Sequence, residues 1–469
     1  MSSKGKFLMN IFIFITISIL LAFFFGTLHG LSNTRAEKPF PIFVTAMVHL
    51  DPLPTVPNIE IILREYARHR DGWLWYLNFA KKTGLRISAQ MTGVYAEACV
   101  LQGHASDFKL CMPGGPHHLG THLHANIKTD LPYVWKTIPK EKYNDPLMVL
   151  HVFKDNLPWI NRIFEENGFS SQDNWFFHGS HAAYQGMEKD LFDYEHKTYP
   201  YDNRFVMVGA KRGRLYLYRG PWIGEPHQRK GNYIKISEVG GIIGEDREHG
   251  PEGMVYGSVP YQKRDFLRVY IEWREMVRRG DSGPVRHFNW MVHPYQLAKG
   301  YIASDGRSPR ESIKELVEWL LDNFIEKKDE SGYVIARFAN VAEIRHAFET
   351  WESEYPEEAH ALQEALERNE PPRYLPVILD RMETTYHEKI LNTGNPNLVI
   401  HKLRDRNNSN ILYLIWSRID DLIPVGEVLS GQYLVYHGNG KSEILDASDI
   451  LVGMEPILLE RAKSVSRKR

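Results

Sequence analysis

The feature that most limits the fold is a recurrence of pattern: between Pro41 and Trp351, short apolar runs alternate with longer amphipathic ones. A run that is apolar on every side suits a strand buried on both faces, and an amphipathic stretch between two such runs suits a helix crossing back over the sheet. Strands are expected at Ile42 to Val48, Leu85 to Ala89, Leu119 to Leu123, Trp175 to His178, Phe205 to Val208, Arg214 to Tyr218, Phe288 to Val292 and Val334 to Ala336. The clearest helices are Asn58 to Lys82, Pro146 to Asn167, Lys263 to Arg279 and Pro309 to Lys327. The expected class is α/β, with the repeat closed as a (β/α) barrel over residues 38–352.

The flanks differ in kind. Phe7 to Gly26 is apolar except for Asn10, Thr16 and Ser18, long enough to span a bilayer, and follows Lys4 and Lys6. Residues 1–37 are therefore expected to form a signal-anchor or transmembrane segment and its linker. The rest would lie outside the cytoplasm, periplasmic or at the cell surface, anchored if the segment is retained and secreted if it is cleaved. At the other end, residues 353–373 are charged and close on Pro371-Pro372, a linker pattern. Short alternating runs separated by turn residues then predict a small all-β, sandwich-like module over 374–462, followed by a basic tail over 463–469.

Composition narrows the chemistry. The formal net charge is -1, with 57 Lys+Arg against 58 Asp+Glu, so no nucleic-acid partner is indicated. Two cysteines, Cys99 and Cys111, exclude a disulfide-built scaffold and a Cys-rich zinc module; they either pair or remain buried thiols. The 21 histidines leave nitrogen and oxygen ligands available. His118, His122 and His124 fall at alternate positions and can share one face of a strand, as metal ligands or as hydrogen-bonded loop histidines. The run Ile42 to Val48 leads directly into His49-Leu50-Asp51-Pro52, an imidazole and a carboxylate two apart at a strand end, where βα barrels bind ligands. Together the two segments offer the mixed shell that suits zinc or a similar divalent ion. Phe177-His178-Gly179 and Val292-His293-Pro294 repeat the design of an apolar strand ending in histidine. Trp175, Trp222, Trp290 and Tyr295, with Asp173, are candidate sugar contacts or simply core.

The order His49-x-Asp51, Gly120-Thr121-His122-x-His124, Phe177-His178-Gly179 and Val292-His293-Pro294 resembles the polysaccharide deacetylase family and its superfamily of seven-stranded glycoside hydrolase/deacetylase barrels. The resemblance implies a (β/α)7-type barrel and a metal-dependent hydrolase that removes an N- or O-acyl group from a polysaccharide. Asp51 and the Gly120-motif histidines would hold the ion, and His293 would be the general acid. The chain departs from the pattern at three points. Leu50 stands where the first of two acidic residues is usual, leaving the base to His49 or to an unidentified carboxylate. Asn126 lies four after His122, so either His124 replaces that ligand or the shell is rearranged. His178 stands where an arginine is usual. His49-x-Asp51-Pro52 also resembles the zinc-binding start of retaining α-mannosidases, which keeps a glycosidase using Asp51 with Asp173 or Asp202 open, as well as a non-catalytic glycan-binding barrel.

Overall fold

The computed structural model describes residues 39–51, 53–55, 57–142, 145–179, 205–208, 222–223, 233–236, 243, 247–249, 254–256, 258–281, 283–303, 306–367 and 373–462. The run Phe7 to Gly26 and the expected strand Arg214 to Tyr218 lie outside them. Among the described residues, no helix is long and apolar enough to cross a membrane.

In chain order the first part holds β1 (Ile42–Leu50), α1 (Ile59–Thr83), β2 (Ile87–Met91), α2 (Gly93–Leu101), β3 (His118–Leu123), the hairpin β4 (Asn126–Lys128) and β5 (Trp135–Thr137), α3 (Pro146–Glu166), β6 (Phe176–Gly179), β7 (Phe205–Val208), β8 (Trp222–Ile223), β9 (Tyr233–Ile236), β10 (Arg247–His249), β11 (Met254–Tyr256), α4 (Val259–Arg278), β12 (His287–Val292), α5 (Pro309–Asn323), β13 (Ala336–Phe338) and α6 (Val341–Glu354). All nine residues of β1 are buried, as in a parallel strand covered on both faces. The turn after it is set by local chemistry. The Asn58 side chain accepts from Ile61 N to start α1, and Gly84, at φ 74°, ends it in the left-handed conformation that favours glycine.

The sheet runs in the order β12-β1-β2-β3-β6-β7-β9, all parallel, with β8 antiparallel at one edge and β13 parallel to the start of β1. Among the described residues, its outer strands do not pair with each other to close a barrel, although Ile243 N donates to Met291 O of β12 at 2.9 Å. What matters for function is direction: parallel strands gather their C-terminal ends along one rim.

The stretch expected to be a charged linker carries a helix, α7 (Pro356–Glu367), whose Ala359, Leu362 and Ala365 are buried. After α8 (Pro376–Met382) come β14 (Thr385–Ile390), β15 (Leu398–Asp405), β16 (Ile411–Ser417), β17 (Ile423–Pro424), β18 (Gln432–Tyr436), β19 (Ser442–Asp446), β20 (Leu451–Val452) and β21 (Ile457–Arg461). They form an antiparallel sheet, β14-β15-β16-β21-β18-β19, beside the small β17-β20 pair. Helix α4 ties this module to the first. Arg264 donates to the carbonyls of Glu383 and Thr385, and Arg274 to those of Ser417 and Met454, so buried guanidinium donors are satisfied by backbone acceptors of the second module. Cys99 and Cys111 are separate buried thiols; burial pushes Cys99 up to about 12.

Candidate metal centre

Three of the chemistry-bearing segments end together on the same rim. β1 delivers His49 and Asp51, β3 delivers His122 and His124, and β12 delivers His293. β12 is the direct neighbour of β1, whereas β3 is separated from it by β2. Asp51 therefore sits past the end of its own strand and reaches over β2. His122 Nε2 donates to Asp51 Oδ2 at 2.9 Å, His124 Nε2 forms an ion pair with the same oxygen, and His293 Nε2 lies 3.4 Å from Oδ1. The His49 ring is 4.3 Å from that of His122 and 5.7 Å from that of His293.

The carboxylate at the centre is 1% exposed, and its Oδ1 is buried without a hydrogen bond. Burial alone would raise its pKa. The charges of His124, His122 and His293 and the hydrogen bond from His122 outweigh that and hold it well below the usual carboxylate range. A buried anion ringed by imidazoles, with one oxygen not hydrogen-bonded, is what a cation site offers before the cation is counted. The donor atoms of Asp51, His122 and His124 all lie within 4.8 Å of one another, as do those of His49, Asp51 and His293. The residues fit a divalent ion.

Other expected site residues fall elsewhere. His118 shares β3 with His122 but lies nearer the strand start; its ring packs 4.3 Å from Trp175, away from the rim, because four residue steps along the strand place the two histidines roughly 13 Å apart. Trp175 is itself core, covered by Arg345 at 3.9 Å from its ring centre. Trp290 is fully buried and donates to Tyr76 Oη, since its position in β12 turns it into the layer of helix α1. Asp173 accepts from Ser170 N at 3.1 Å and closes the capping box of the short turn that leads into the start of β6, at the strand end opposite the rim. His178 pairs through its backbone with His122 and Val208 on the neighbouring strands. The side chains of His178 and Trp222 and the whole of Asp202 lie outside the described residues. Tyr295 lies beside the rim: its ring is 5.5 Å from that of His293 and lines a cleft of about 610 Å³ with His124, His69, Arg68, Glu65, Asn126 and Thr137.

Three residues here were not singled out from the sequence. Gln90 is in register with His49 on one side and Gly120 on the other, so the three share a face, and both atoms of its buried amide lack a hydrogen bond. His69, on the buried face of α1, donates from Nδ1 to Glu65 O at 2.7 Å; burial lowers its pKa against the pull of that carbonyl and of Asp51. Gly72, one turn further, admits the Pro294 carbonyl where a Cβ would clash, so α1 packs directly on the turn that follows His293. Each left a faint signal, a polar or minimal residue inside an otherwise apolar stripe.

No known protein family matches the chain, and no curated protein does. Solved structures do: one of Pseudomonas aeruginosa PAO1, described as a polysaccharide deacetylase, is 13% identical at a TM-score of 0.39 over 67% of this chain and 92% of that one. One of Mycobacterium smegmatis with the same description is 10% identical at 0.39 over 67% and 93%, and the allantoinase PuuE is 12% identical at 0.38 over 67% and 91%.

Proposed function

We propose that this chain is a metal-dependent hydrolase that removes N- or O-linked acyl groups from a polysaccharide. The observation that carries the reading is the buried Asp51 carboxylate, with His122 and His124 on one oxygen and His293 on the other. Asp51, His122 and His124 supply three protein ligands, the number that leaves room for water and a substrate carbonyl. A divalent ion held there, zinc being the best match to this donor set, supplies a Lewis acid for the carbonyl and lowers the pKa of water.

The remaining work belongs to the chain's own groups. His49, beside His122, takes the proton from the attacking water, which answers the absence of an acidic residue at Leu50. His293, across Asp51 Oδ1 and next to Tyr295, returns a proton to the departing amine or alcohol. Tyr295 and Arg68 flank the cleft that a sugar must enter, with the Arg68 guanidinium 5.8 Å from the tyrosine ring centre. The apolar run Phe7 to Gly26 supports membrane attachment and action outside the cytoplasm, which fractionation of cells making the full chain tests.

The test of the reading is release of acetate from N-acetylated and O-acetylated oligosaccharides by purified protein, before and after treatment with a chelator. Turnover that is lost with the ion and restored by adding it back is expected. Turnover indifferent to the chelator, or protein that purifies with no affinity for any divalent ion, would overturn it.

A further inference from the structure

We propose that His49, Asp51 Oδ1 and His293 form a second, weaker cation site, and that an ion bound there shuts the enzyme off. The proposal rests on the reading above, in which Asp51 Oδ2, His122 and His124 take the first ion.

Two triads of donor atoms meet at this rim, and they share Asp51 alone. The two oxygens of that carboxylate are divided between them: Oδ2 faces His122 and His124, and Oδ1 faces His293. The 3.4 Å between His293 Nε2 and Oδ1 is close to the ligand-to-ligand edge of a tetrahedron whose bonds are about 2.0–2.1 Å long. Oδ1 is buried and makes no hydrogen bond, with His293 Nε2 only at ion-pair distance, so a cation there would satisfy it. A carboxylate bridging two ions about 3.5–4 Å apart is a recurrent arrangement in two-metal sites. His293 borders the cleft through Tyr295, which gives an ion a route in.

Charge decides the order of filling. Asp51 is the one carboxylate in both triads, so the first ion already exceeds its charge, and a second places two more positive charges beside it in a buried setting. The second ion must therefore bind more weakly and bring an anion from solution with it. Its effect on turnover follows from lone pairs: an imidazole nitrogen that ligates an ion cannot accept or deliver a proton. His49 and His293 are the two proton carriers of the proposed reaction, so filling this site removes both.

The experiment uses the purified protein stripped with a chelator and titrated with zinc, reading bound ion by elemental analysis of the desalted protein and by calorimetry, with acetate release measured in parallel. Two classes of site are expected, the second at least tenfold weaker, with activity rising through the first and falling through the second. His293→Ala and His49→Ala should each retain the first ion, which also shows that they are folded, and lose the second. Saturation at one ion per chain up to millimolar zinc, or a second ion that survives both substitutions, overturns the second site and leaves the hydrolase reading standing. Protein that binds no ion overturns both.

Discussion

Two histidine clusters among the described residues are built for opposite ends. At the rim, His122, His124 and His293 each turn Nε2 toward a single carboxylate. Where the two modules meet, His387 of β14 and His401 of β15 share one hydrogen bond, Nε2 to Nδ1 at 3.2 Å, and are closed in by Trp319 and Trp416. Burial lowers the pKa of His387 to about 4 and that of His401 well below its ordinary value. The nearby carboxylate of Glu388 is engaged by Lys402 and Arg404. An imidazole next to a buried anion is a ligand in waiting; an imidazole among rings is neutral packing with a polar edge. Histidine count and burial do not separate the two, but the position of one carboxylate does.

The widest separation is expected from removing the anion. Asp51→Asn should abolish ion binding and lower acyl release by about 10³ or more, because it deletes a ligand and the charge that offsets the ion. His387→Gln should leave both unchanged. Elemental analysis and acetate release on the two variants check this, and equal losses in both would erase the distinction between the clusters.

Next in size is a change that touches no ligand. Gly72→Ala forces α1 away from the Pro294 carbonyl and moves His293 with it. A displacement of about 1 Å at a catalytic group lowers turnover by roughly 10²-fold. The expected result is a fall in kcat with ion content retained. If kcat is unchanged, the packing of α1 does not position His293.

What the sequence made legible follows this same division. Asp51 and His293 could be named because each follows an apolar strand, and His122 and His124 because they fall at alternate positions along one; parallel strands end together, so chain-local pattern was enough. His118 looked identical in sequence, since alternation along a strand says which face a residue takes but not how far from the rim it lies. Gln90, His69 and Gly72 come from β2 and α1, elements whose patterns signal only packing, so their approach to the site depends on tertiary contacts. The glutamates of α7 suit a helix but read as a solvent-facing linker with few core contacts, and only the fold shows that Ala359, Leu362 and Ala365 are buried.

Buried neutral histidines, His387 among them, also predict how the fold responds to acid. Burial holds His117 near a pKa of about 4, His118 about 3 and His387 about 4, all below the value near 6.5 of an unfolded chain. Between those limits the unfolded state binds more protons, so the stability these neutral rings contribute is complete above about pH 6.5 and is lost as pH falls toward 4. Each contributes a slope on the order of 1.4 kcal/mol per pH unit in that window. Urea unfolding midpoints measured from pH 7 to 5 should fall accordingly, and a flat profile would show that these rings take up protons in the folded protein as readily as in the unfolded chain.

The smallest expected effect isolates one ring. His118 is buried between Trp175 and Phe176, its Nε2 has no hydrogen-bond partner, and the nearby Arg345 charge opposes its protonation together with burial. Exchanging this ring removes no ligand, so His118→Phe should keep ion content and turnover, and at pH 7 stability should change by less than about 1.5 kcal/mol because ring is exchanged for ring. On acidification the variant should lose one group's share of the slope, since phenylalanine takes up no proton in the unfolded state. Loss of the ion in this variant would place His118 in the metal shell after all and would show that its distance along β3 does not keep it from the rim.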